Sequence, residues 1–221
     1  MTDRDTIRPN KRRSLTEQAY DALEARIVTG QLEPGMMVSE AQLAKALEMG
    51  RMPIRESLQR LARDGLVSIH PRRGVMIPEV SVNTELKLLE VRRPLQNLAT
   101  RLAARRGSKQ HREQMQSLAN CLEQLATEQN AEEFLYVLRD VHHLLTEAAA
   151  NEYIERAMGP VQGMTRRFWY LNMREGDLAT GAGLHASIMR TVAEGNEQEA
   201  EDLSNSLMDY LEQFARRTLD I

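Results

Sequence analysis

Two helix-start signatures near the N-terminus constrain the fold most. In Ser14-Leu15-Thr16-Glu17 and Ser39-Glu40-Ala41-Gln42, a serine precedes a Glu or Gln by three positions. That spacing lets hydroxyl and side-chain carbonyl oxygen satisfy backbone amides at a helix start reciprocally. After the first box Tyr20, Leu23 and Ile27 repeat at helical spacing, and Gly30 ends the run. After the second, Leu43 and Leu47 face inward and Gly50 closes a short helix. Pro53 suits the first turn of a third helix that carries Ile54, Leu58 and Leu61 and ends near Gly65. Two β-favouring runs, 66–70 and 75–78, flank Pro71-Arg72-Arg73-Gly74 and predict a hairpin. Three short helices and a hairpin make the plan of a winged helix-turn-helix.

From residue 82 onward apolar residues step by three and four in successive stripes: 88–102, 115–125, 134–145, 154–168 and 203–214, with a shorter helix around 183–194. Asn130 with Glu133 and Asn196 with Glu199 predict further helix starts. The fold expected is mainly α: a flexible basic arm over 1–13, a winged helix-turn-helix over 14–80 with a small β-hairpin wing, and an all-α antiparallel bundle of about six helices over 81–221.

The charge distribution separates these parts. The net charge is −3, yet residues 1–80 carry 13 Lys+Arg against 11 Asp+Glu, a balance of +2, and residues 81–221 carry 16 against 21, a balance of −5. Six arginines fall within 51–73. Phosphate binding needs local positive charge rather than a basic whole. Arg51 and Arg55 flank the start of the third helix, where a recognition helix presents side chains to base edges. Arginine donates bidentately to guanine. Arg60 and Arg63 lie further along, suited to phosphate or an internal acid, and Arg72 and Arg73 sit at the tip of the wing. With Ser39, Met52 and Gly74 they are the DNA-contact candidates.

The stretch 15–78 resembles the GntR family of regulators, through Leu32-Glu33-Pro34-Gly35, Ser39-Glu40, Arg51-Met52-Pro53-Ile54-Arg55-Glu56, Leu61, Gly65-Leu66 and Arg73-Gly74. The second half is similar to that family's FadR-type ligand-binding domain. The similarity rests on Glu90-Val91-Arg92-Arg93, Leu102-Ala103-Ala104, His142 with Asn151, and His185 with Gly195. Gly50 and Met52 depart from the family's hydroxyl-bearing residues at those positions, which removes a cap from the recognition helix. The resemblance implies a homodimer on a palindromic double-stranded DNA operator, with a small-molecule effector, a carboxylate metabolite, held by Arg92, His142, His185 and Tyr210. It also implies a divalent metal such as zinc held by one Asp and three His. Only His142 and His185 match that set; the other two positions fall on Leu138 and Leu207, so a metal-free pocket is expected. Pro94 is expected to kink the helix beside Arg92, and the segment 78–90 to form the switching contact between the domains. Arg166, Arg167, Trp169 and Tyr170 form a polar-aromatic cluster suited to effector recognition or to packing.

The remaining features fix the class. Cys121 is the single cysteine, which fits a reducing cytoplasm, and no stretch reads as a membrane span or signal peptide. No Ser-His-Asp order, phosphate-cradling glycine loop or His-Glu-x-x-His motif points to an enzyme. A metabolite-responsive repressor is expected, with an activator or architectural DNA-binding protein lacking an effector as the alternative.

Overall fold

The computed structural model describes residues 14–219; the expected basic arm, 1–13, lies outside them. Helix α1 (Leu15–Val28) opens on its capping box, with Glu17 N donating to Ser14 Oγ at 3.2 Å and Ser14 N donating to Glu17 Oε2 at 2.8 Å. Strand β1 (Met37–Val38) precedes α2 (Glu40–Ala46), whose box is likewise closed in both directions, at 3.2 and 2.8 Å. Gly50 does not close α2, which ends at Ala46; it is the N-cap of α3 (Arg51–Arg63) and offers no side chain to the first-turn amides. The hairpin is β2 (Ser68–His70) and β3 (Gly74–Met76).

The sheet order is β1-β3-β2, antiparallel throughout, with Val75 opposite both Val38 and Ile69. The two-residue β1 is too short to register as an alternating pattern in the sequence. Its pairing explains Gly74: with φ +111°, a Cβ there would lie 2.6 Å from the carbonyl oxygen of Val38. Leu23, Ile27, Ile54, Leu58, Leu61, Leu66 and Val75 close the core of this head.

The body contains α4 (Val82–Arg106), α5 (Lys109–Glu128), α6 (Ala131–Ala148), α7 (Glu152–Asn172), α8 (Asp177–Glu194) and α9 (Glu197–Arg217). The five expected stripes and the shorter helix are thus six helices, α8 being a full-length member of 18 residues rather than a short one. Helix α4 continues unbroken through Pro94. One edge of α4 is laced to α9 at steps of four residues. Arg93 meets Asp209 at 2.8 Å and Glu212 at 3.1 Å, Asn97 meets Asn205 at 2.7 Å, Arg101 meets Glu201 at 3.5 Å, and Arg105 meets Glu197 at 2.7 Å. Fixing Arg93 on that edge turns its neighbour Arg92, about 100° round the helix, into the core. Arg92 is 2% exposed.

Head and body are not joined through 78–90 alone. Val28 of α1 belongs to the body's core, and α1 lies against α7. Arg167 donates to the carbonyl of Pro78 at 2.8 Å.

Gly74→Ala places a methyl against a backbone oxygen in a left-handed conformation and should lower stability by about 1–3 kcal/mol. Thermal unfolding followed by circular dichroism checks this; an unchanged Tm would refute the packing given for the wing.

Candidate DNA interface and effector pocket

On α3 the buried face is Ile54, Ser57, Leu58 and Leu61, which leaves Arg51, Met52 and Arg55 outward on the first turn. Arg55 is held loosely, its Nε 3.5 Å from Glu40 on α2 and its side chain 64% exposed. An exposed pair of this kind is weak and readily exchanged for a phosphate or a base edge. Thr16 donates to Glu56 at 2.6 Å and ties α1 to α3. Arg60 lies over the Tyr20 ring, its Cζ 4.0 Å from the centroid, and the Tyr20 hydroxyl donates to Asp64 at 2.7 Å, so Arg60 braces the head. Arg72 and Arg73 are exposed at the wing tip, Arg72 with φ +64°. Ser39 serves as the cap of α2, and Gly74 serves the close approach to Val38.

Inside the body a small pocket is lined by Arg92, His142, Arg166, His185, Trp169 and Tyr210, with Phe134, Leu138, Thr165, Gly181, Leu207 and Leu211. All four expected effector residues are therefore together, although they come from α4, α6, α8 and α9. Arg166 Nη1 lies 3.2 Å from His142 Nδ1, and Arg92 Nη2 lies 3.4 Å from His142 Nε2. The His142 and His185 rings meet edge to face, 5.6 Å apart. Burial, with Arg92, Arg166 and His185 adding to it, holds His142 well below the ordinary imidazole range, and burial beside Arg92 pushes His185 down to about 3. Both rings are neutral at neutral pH.

A neutral imidazole has one acceptor nitrogen, and guanidinium groups only donate. His142 therefore cannot accept from both arginines at once, and one of the two contacts sets donor against donor. Arg92 is worse placed still: its Nε is buried without a hydrogen-bond partner, and burial lowers its pKa to about 10. The pocket holds more buried donors than acceptors. Tyr210 does not relieve this, because its hydroxyl accepts from Trp169 at 3.2 Å and donates to Asp177 at 3.3 Å, and burial pushes its pKa up to about 12.

This donor set does not suit a divalent cation. A metal site wants three or four protein ligands. Among the described residues no group of three or more His, Cys, Asp or Glu is placed to hold one. Leu138 and Leu207 line the cavity where ligands would stand, and two guanidiniums face the nitrogens of His142.

Residues 15–77 match the family model described as bacterial regulatory proteins, gntR family, and residues 87–210 match the FCD domain. The chain belongs to the GntR family. Its head is the family's DNA-binding unit and its body an FCD domain, which places it among transcription regulators that bind DNA and a small-molecule effector, not among enzymes. It is 35% identical over 85 residues to the uncharacterized HTH-type transcriptional regulator YdhC of Bacillus subtilis, a match spanning 38% of each chain. It is 27% identical over 173 residues to the Nta operon transcriptional regulator of Aminobacter aminovorans, 78% of this chain and 80% of that one. The solved structure of McbR/YncC from Escherichia coli shares the fold, with a TM-score of 0.77 at 21% identity, over 94% of this chain and 99% of that one.

Within this GntR-family chain, the cluster around 166–170 divides. Arg166 and Trp169 line the pocket, whereas Arg167 serves the head–body junction and Tyr170 reaches Glu132 at 3.5 Å. Sequence reasoning missed Glu24 and Glu85. The Glu85 side chain lies on α4 two turns before Arg92, 3% exposed, and burial pushes its carboxyl up to about 7 against the pull of Arg92. The i, i+7 spacing to Arg92 was the available signal.

Glu85 thus binds its proton more tightly folded than unfolded, where 4.5 is ordinary. Its ionisation opposes folding as pH rises from about 4.5 to about 7, by about 3 kcal/mol in total. The lowered histidines act in the opposite sense, losing stability as pH falls below 6.5. The comparison of variants isolates Glu85. Glu85→Gln should match the parent near pH 4.5 and exceed it by about 3 kcal/mol above pH 7 in denaturant unfolding. Parallel pH profiles would show that Glu85 ionises freely.

Proposed function

We propose that the protein is a homodimeric, cytoplasmic repressor that reads a palindromic DNA operator and releases it when a carboxylate metabolite enters the pocket of the FCD domain. The observation that carries the effector class is Arg92: a guanidinium 2% exposed, with an unpartnered Nε, on the wall of the pocket. A carboxylate accepts from a guanidinium fork bidentately and would absorb the surplus donors of Arg92, Arg166 and His142 without a metal. The aromatic and aliphatic walls, Phe134, Trp169, Leu138 and Leu207, suit the carbon skeleton attached to it.

Each head supplies Arg51 and Arg55 to one half-site, with Met52 between them and Arg72 and Arg73 on the wing. The two-fold operator follows from two copies. On α4 the stripe Leu88, Val91 and Leu95, with Val91 53% exposed, offers a second copy an apolar contact. Repression follows from reciprocal linkage, in which effector and operator each weaken the affinity for the other by the same factor.

A mobility-shift assay on the DNA immediately upstream of the protein's own gene tests this, followed by unbiased site selection where that DNA is not retained. Arg51→Ala and Arg55→Ala should each weaken specific retention by about 10–100-fold, the worth of a good base contact. Carboxylates should release the DNA from the parent protein and not from Arg92→Ala. Retention indifferent to sequence would instead mark an architectural protein, and release unaffected by Arg92→Ala would remove the effector assignment.

A further inference from the structure

The pocket is connected to the DNA-binding head by one side chain. Arg166 Nη2 donates to Glu24 Oε1 at 2.6 Å, while Nη1 of the same guanidinium faces His142 in the pocket. Glu24 belongs to α1 of the head, and both partners are more than nine-tenths buried, at 8% and 7% side-chain exposure. Gly163, one turn before Arg166 on α7, permits the approach: a Cβ there would lie 3.3 Å from Glu24 Oε1. A continuous buried chain therefore runs Glu24–Arg166–His142–Arg92, from α1 through α7 and α6 to α4.

Glu24 also has a second cation within reach. Arg139 on α6 lies 3.9 Å from its other oxygen and already holds Asp21 of α1 at 2.9 Å. On this side of Arg166 a narrow cleft between head and body is lined by Glu24, Val28, Leu135, Tyr136 and Arg139.

We infer that the carboxylate effector acts by taking the Arg166 guanidinium from Glu24, so that α1 exchanges its hold on α7 for one on Arg139 of α6. This rests on the carboxylate reading given above and assigns the coupling step of that site. Effector and Glu24 are both carboxylates competing for one buried fork. Arg166 cannot serve both fully, because its second arm already spans to His142. The two arrangements of Glu24, on Arg166 or on Arg139, are the two states the effector discriminates, and a buried ion pair left half-made strongly favours re-pairing.

Competition has a signature that mere structural support lacks: removing Glu24 should improve effector binding. Formate, succinate and benzoate are titrated calorimetrically into the full-length protein and into Glu24→Gln. Glu24→Asp is carried alongside as a variant that keeps the charge near Arg139 but draws back from Arg166. Both variants should bind the carboxylate that the parent binds about tenfold more tightly, whereas Arg166→Lys should bind it more weakly. Hydrogen exchange of the α1 amides should respond to that carboxylate in the parent and not in Glu24→Gln. Equal or weaker binding by both Glu24 variants would overturn the relay while leaving the pocket's carboxylate assignment intact. Binding of none of the three acids to parent or variants would overturn the pocket reading and the relay with it.

Discussion

The Arg166 guanidinium is the interaction on which the rest of the structure depends. A guanidinium buried between two domains must be satisfied there, because an unpaired charge in that setting costs several kcal/mol. Its one full-strength acid partner, Glu24, comes from the head; its other arm reaches a neutral imidazole in the body. One ion pair therefore ties the placement of α1 on α7 to the polar lining of the pocket. A molecule that changes how Arg166 is satisfied changes both.

The body is arranged to keep that question open. The ladder from Arg93 to Arg105 pins α4 to α9 and commits Arg92 to the interior. Arg112 joins the ends of α4 and α8 by donating to the carbonyls of Ala104 and Ala193 at 2.9 and 2.8 Å. On this rigid frame the pocket presents two guanidiniums and two neutral histidines, with a protonatable Glu85 as the nearby acid. A metal site of the implied kind would need an Asp where Leu138 stands and a His where Leu207 stands.

Much of this was legible in the sequence because the signals were local. Capping boxes at Ser14 and Ser39, turn residues at 71–74, and apolar stripes of period 3.6 each report on a few neighbouring residues, and the helices and hairpin formed where they indicated. Arg92, His142, His185 and Tyr210 were found through family resemblance, and they do converge. What escaped was nonlocal. Strand β1 is two residues long and exists because Gly74 admits the Val38 carbonyl. Glu24 reads as one more solvated charge on an amphipathic helix, and only the packing of α1 on α7, 142 residues away, buries it.

The central claim is that Arg166 is shared between the head and the effector, and a crystal structure of the protein with a bound carboxylate tests it most directly. The account predicts the carboxylate on the forks of Arg92 and Arg166, with Glu24 withdrawn from Arg166 and paired to Arg139. A carboxylate held by Arg92 while the Glu24–Arg166 contact stays at its present 2.6 Å would contradict it.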